Sequence, residues 1–107
     1  MKLTNRKCIP CEGNMKPLGK KDVNELLKEI PSWAVKEEHL LKQFKFRDFN
    51  EAIKFVNKIA RIAEEEGHHP DIAISYNRVK IMLITHSISG LSENDFVVAA
   101  KIDGIKK

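Results

Sequence analysis

The feature that most constrains this chain is a stripe of apolar residues at helical spacing: Phe49, Ala52, Ile53, Val56, Ile59, Ala60 and Ala63, running uninterrupted toward Gly67. Side chains that recur every three or four positions share one helix face, so the segment needs a core to cover. Asp48 with Glu51 three residues on is a variant of the capping box, and Gly67 is the residue type that closes a helix in the left-handed conformation. The spacing predicts a helix over 48–66.

On both sides of this helix the apolar period falls to two. From Trp33 to Phe46, short extended runs put Leu40, Phe44 and Phe46 on one side, with Glu37 to His39 as the turn of a hairpin. Beyond Gly67, Ile72, Ile74 and Tyr76 alternate with Ala73 and Ser75. Asn77 and Arg78 then suit a tight turn, and Val79, Ile81, Leu83 and Thr85 resume the alternation. Val23, Leu26, Leu27 and Ile30 predict a short first helix over 21–30 that Pro31 stops. Gly90 ends the second hairpin, Ser92 with Asp95 caps a last helix over 93–105, and Leu91 and Phe96 sit where a hydrophobic staple places them. The order α-β-β-α-β-β-α gives an α+β domain: a four-stranded antiparallel sheet with three helices packed on one face. Ala73, Ser75, Met82 and Ile84 are not strongly polar, so the other face, or a sheet edge, is expected to meet another subunit.

A chain of 107 residues supports one core. Residues 1–18, rich in Pro, Gly, Asn and Lys, read as a flexible tail, and 19–107 as a single domain. No apolar run approaches the roughly 18 residues of a membrane span, and the N-terminal residues lack the apolar segment of a secretory signal, so a cytoplasmic location is expected. Residues 1–21 hold six Lys/Arg against Glu12, and residues 101–107 hold three Lys against Asp103, so the formal charge of +4 lies in the two ends. A nucleic-acid binder would carry its basic stripe on a folded face, and direct nucleic-acid binding is not expected. Cys8 and Cys11 form a lone C-x-x-C. It suits two thiols without catalytic duty, a disulfide, or a metal site shared between subunits, since a complete zinc site needs about four ligands.

Three of the four histidines gather around the second hairpin. His68 and His69 follow the central helix and His86 ends the final strand; because a hairpin enters and leaves at one end of a sheet, His86 returns toward them. An imidazole holds or releases a proton near neutral pH, so two or three around one ligand supply acid and base together. The competing readings are structural: His68-His69-Pro70 as a helix stop, Asp95 as a cap, Glu64 as one of three solvated glutamates, and His86 as a strand end. A metal-ligand role lacks the usual histidine spacing.

The full spacing is Glu64, three residues, His68-His69-Pro70, five residues, Tyr76, nine residues, His86, eight residues, Asp95. It resembles the signature of the pterin-4a-carbinolamine dehydratases. The resemblance extends to Lys42-Gln43-Phe44, Phe46, Asp48-Phe49-Asn50, Tyr76-Asn77, Thr85-His86 and Gly90-Leu91-Ser92, and spans about residues 20–103. It implies dehydration of a 4a-hydroxytetrahydropterin to quinonoid dihydropterin and water in tetrahydropterin recycling, without metal or other cofactor. By the same resemblance His68 and His86 are candidate acids facing the hydroxyl, and His69 is the candidate base or ring-positioning group. Glu64 and Asp95 would orient imidazoles or bind the pterin edge, and Gly67, Pro70, Thr85 and Ser87 would line the pocket. The partners implied are the pterin, a second or further copies of the chain in a homodimer or homotetramer, and an aromatic amino acid hydroxylase that produces the substrate. The chain departs from the animal pattern at Gly67, where an Asp often stands, at Ser87, where a Glu does, and at Ile72, where an aromatic lies near the pocket rim. Animal members also act as dimerisation cofactors of a homeodomain transcription factor, so an interaction module is the main competing function. A pterin-binding role linked to the molybdenum cofactor is the other.

Overall fold

Asp48 begins the central helix in extended conformation, its carboxylate accepting the Glu51 backbone N–H at 2.9 Å, and Gly67 closes it at φ 65°. Around that helix the computed structural model, which describes residues 3, 8 and 16–105, lays out the remaining elements. Helix α1 (Lys20–Leu27) precedes a hairpin of β1 (Ala34–Lys36) and β2 (His39–Lys45); α2 (Phe49–Glu66) leads to a hairpin of β3 (Asp71–Ser75) and β4 (Arg78–Leu83); α3 (Glu93–Asp103) completes the set. The strands form one antiparallel sheet in the order β1-β2-β4-β3. This is the α+β architecture that the alternating periods require. Among the described residues no helix is long and apolar enough to cross a membrane.

Register decides which side chains reach the core. Leu40 stands opposite Leu83, Phe44 opposite Val79, and Ile72 opposite Ile81, so these residues share the face that α2 and α3 cover. Leu40, Phe44, Val79, Ile81 and Leu83 are buried there with Phe55, Ile59, Phe96 and Ile102, each contributing about 1.5–3 kcal/mol through removal of its side chain from water. Phe55 stacks obliquely on Phe44 and Phe46, with ring centroids 4.7 and 4.9 Å away. Lys42 falls in the same row, opposite Ile81. Its ammonium is taken by Asp103 at 2.8 Å, and Asp103 also accepts the Trp33 indole N–H at 3.0 Å, which ties α3 to the first hairpin.

The structure moves several boundaries. Helix α1 ends at Leu27 and not at residue 30. The chain then tightens into turns in which Ile30 N–H reaches Leu27 O, and these carry Ile30 into the core ahead of Pro31. The first hairpin turns on Glu37 and Glu38, both at positive φ, the mirror-image geometry that matches strand twist. The second turns on Tyr76 and Asn77, one residue earlier than expected, with Ser75 paired to Arg78. The Asn77 side chain donates to Phe46 O at 2.9 Å and holds that turn against the end of the first hairpin. Strand β4 stops at Leu83, so Ile84 and Thr85 leave the sheet, and α3 stops at Asp103 and not at 105. The open sheet face therefore carries Ala73, Ser75 and Met82 without Ile84, beside exposed Gln43, Lys45, Arg78 and Lys80.

Candidate functional site

Two interruptions of regular structure create the site. At the end of α2, the left-handed Gly67 turns the backbone so that the His68 N–H returns to Ala63 O, and His68 and His69 enter an extended link toward β3. At the end of β4, Thr85 and Gly90 bridge, and the loop between them folds into one 3₁₀ turn, His86–Ile88. His86 thus stands on a turn beyond the strand, a correction to the expected strand-end position. The first turn of α3 passes behind both segments and supplies Asn94 and Asp95.

Asp95 is the centre of the buried part. It is fully inaccessible, and its Oδ2 accepts the Ser92 backbone N–H at 2.9 Å and the Thr85 hydroxyl at 2.8 Å. Its Oδ1 lies 2.6 Å from His68 Nε2, and Thr85 and Ser92 hydroxyls join at 2.7 Å. The capping role and the histidine-holding role, which compete as readings of the sequence, are one arrangement: one oxygen caps α3 and the other fixes the ring. A carboxylate only accepts, so Nε2 carries a proton and Nδ1 is left to act on a ligand, as a base when the ring is neutral and as an acid when it is charged.

The other two rings repeat the pattern at the surface. His69 Nε2 meets Glu64 Oε2 at 2.5 Å, one turn back on α2, and His86 Nε2 faces Asp71 Oδ2, on β3, at 3.8 Å. His68, His69, His86, Gly67, Thr85 and Ser87 all line one open cavity of about 510 Å³, inside the roughly 300–1,000 Å³ usual for small-molecule sites. Glu64, Pro70 and Asp95 are not in its lining: Glu64 and Asp95 stand behind histidines, and Pro70 directly precedes β3. Ile72 packs against the core, away from the rim. His39 is remote from the cavity, its ring bonded to Glu37 O. Among the described residues no group of three or more His, Cys, Asp or Glu is arranged to hold a metal ion.

Four lining residues were not expected: Cys8, Glu66, Ile84 and Asn94. Glu66 had a signal, because it extends the stripe of Ile59 and Ala63 by one more turn and so falls on the buried face. It forms an ion pair with Lys101 of α3 at 2.7 Å and accepts the Cys8 backbone N–H at 2.8 Å. Asp71 was also missed. Cys8 belongs to the segment expected to be a tail, as does Leu3, which is buried against the core with its N–H on Glu29. The Cys8 thiol, pushed up from 9.0 to about 12 by burial first and the Glu66 charge second, stays protonated at neutral pH. Cys11 lies outside the described residues, so the C-x-x-C pair is not defined by the structure.

The family model for pterin 4 alpha carbinolamine dehydratase matches residues 16–105. A protein of Rickettsia bellii (strain OSU 85-389), whose name assigns it to pterin-4-alpha-carbinolamine dehydratase, is 52% identical over 103 residues, covering 94% of this chain and 91% of its own. A Brucella melitensis crystal structure described as a transcriptional coactivator/pterin dehydratase superposes with TM-score 0.79 at 35% identity, over 83% of this chain and 97% of that one. A pterin dehydratase-like protein described as a RuBisCO assembly factor in the alpha-carboxysome superposes with TM-score 0.56 at 27% identity, over 67% of this chain and 83% of its own.

Proposed function

The chain belongs to the pterin 4 alpha carbinolamine dehydratase family, and from that premise we propose that it is a hydro-lyase whose His68, His69 and His86 dehydrate a 4a-hydroxytetrahydropterin in tetrahydropterin recycling. In the reaction a proton is added to the 4a-hydroxyl, the C4a–O bond breaks as water leaves, N5 gives up its proton, and the C4a=N5 bond forms. One proton enters and one leaves, so groups that exchange protons near neutral pH are sufficient. The observation that carries the reading is three imidazoles on one cavity wall, each with a carboxylate at Nε2 and its other nitrogen left for a ligand.

In this proposal His68 and His86 deliver the proton to the departing hydroxyl and His69 receives or positions at N5. Gly67, Thr85 and Ser87 form the floor and rim of the pterin site, while Glu64 and Asp95 orient rings and Pro70 fixes the link. The catalytic domain is 19–107, with Leu3 and Cys8 of the preceding segment packed against it, acting in the cytoplasm on a substrate supplied by an aromatic amino acid hydroxylase. A homodimer or homotetramer is supported by the open sheet face and the β3 edge, where Ile74 and Tyr76 are exposed. Replacing each histidine singly with alanine and following turnover of chemically generated carbinolamine tests the assignment. Losses in all three support it, and near-normal rates in all three end it. The coactivator description of the Brucella structure favours a second reading as an interaction module, in which those same variants keep partner binding while dehydration is absent from the wild type.

A further inference from the structure

Glu66 occupies a position on α2 that an apolar side chain would fill. It continues the buried stripe of α2 and its side chain is 7% exposed, yet it is a carboxylate paired with Lys101 across the α2–α3 contact. Replacing a buried ion pair with apolar side chains is often neutral or stabilising, so stability is a weak reason for such a pair. The geometry supplies a stronger one. While Oε2 takes the Lys101 ammonium at 2.7 Å, Oε1 takes the backbone N–H of Cys8, 58 positions earlier in the chain and in neither helix nor strand. The Cys8 thiol lies 3.6 Å from the Asn94 carbonyl, and Cys8, Glu66 and Asn94 all line the cavity that holds the three histidines.

We propose that the Glu66–Lys101 pair is a positioning device for substrate: it seats Cys8 as a wall of the pterin pocket, and that wall tightens pterin binding without entering the proton transfers. The inference rests on reading the cavity as the pterin site. A thiol held neutral there offers a polarisable, weakly polar surface to a flat ring. It is not a nucleophile, since burial and the adjacent carboxylate disfavour the thiolate.

The test uses the full chain with Cys11→Ser, which leaves Cys8 as its single thiol. Cys8 alkylation by iodoacetamide is timed with and without 7,8-dihydropterin, and kcat and KM are measured on carbinolamine. Dihydropterin should slow alkylation. Glu66→Ala should speed alkylation about tenfold and raise KM about fivefold, with kcat within about twofold. Cys8→Ala should raise KM comparably, and Glu66→Ala added to it should raise KM no further, because Glu66 acts through Cys8. Glu66→Gln, which retains an acceptor for the Cys8 N–H, should fall between wild type and Glu66→Ala. Turnover with a thiol that dihydropterin leaves unprotected overturns this inference alone, as does a Glu66→Ala protein with lowered melting temperature and unchanged KM. A wild type that neither turns over carbinolamine nor binds dihydropterin overturns the pterin reading together with it. If Glu66→Ala does not fold, the protection experiment and Cys8→Ala still decide.

Discussion

His68 and His86 face the same cavity, each with an aspartate at Nε2, but the two pairs are built differently. His68 sits 2.6 Å from Asp95, with side chains 13% and 0% exposed, and Asp95 is held further by Thr85 and Ser92. His86 stands 3.8 Å from Asp71, with side chains 73% and 55% exposed, on a 3₁₀ turn between strand and helix. The His69–Glu64 pair is short like the first and exposed like the second, at 61% and 77%. A buried, multiply bonded pair fixes a ring before substrate arrives, whereas an exposed pair is screened by water and leaves its ring free to reorient. The proposed dehydration calls for both kinds: one imidazole held in place before the substrate arrives, and others able to exchange protons with solvent.

The largest way to break that contrast is Asp95→Ala. It removes the acceptor of His68, Thr85 and the Ser92 amide together, so about 3–5 kcal/mol of folding stability should go, along with the ring position that the proposed dehydration uses. Urea unfolding and steady-state turnover on one preparation check it; a loss below about 1 kcal/mol would show that Asp95 is not the keystone of this wall. Next come His86→Ala and His69→Ala. As exposed acid–base groups, each should cost about 10²-fold in turnover, while stability stays within about 0.5 kcal/mol of wild type. A stability loss as large as that of Asp95→Ala would erase the distinction between the buried pair and the exposed ones. Smaller again is the effect of neutralising the exposed carboxylates. Asp71→Asn and Glu64→Gln should reduce turnover only a few-fold, because a screened surface pair is worth about 0–1 kcal/mol.

How much of this was legible in the sequence follows the same division. The two hairpins and the central helix could be read because their apolar period is enforced along their length by the core that covers Leu40, Phe44, Ile59 and Val79. The second turn was misplaced by one residue because Tyr76 takes a positive φ without being Gly or Asn, so no local preference marks it. The histidines and Asp95 could be found because their spacing resembles a family signature. Which carboxylate backs His86 could not, since Asp71 meets it only after β4 has ended and its loop has folded back. Cys8 was hidden for a related reason: bonds to Glu66 and to the Asn94 carbonyl, both far along the chain, place it, and no periodicity records such bonds. Glu66 could have been flagged, as a charge on an otherwise apolar stripe.

The mildest expected effect concerns Cys8, beside Asn94, and its sign follows from proton binding. In the unfolded chain the Cys8 thiol gives up its proton near its ordinary value of 9.0, while in the folded protein it holds it to about 12. Between those limits the folded state binds more protons, so the stability that Cys8 contributes is whole below pH 9 and declines as pH rises toward 12. Half-burial and solvent screening keep this contribution small, and lysines titrate in the same range, so the informative quantity is a difference. With Cys11→Ser in both proteins, the urea midpoint with Cys8 present should fall more steeply from pH 8.5 to about pH 10.5 than that of Cys8→Ala. Parallel curves would mean that the thiol meets the same surroundings folded and unfolded. Cys8 would then be no wall at all, and Glu66 and Asn94 would bound that part of the cavity without it.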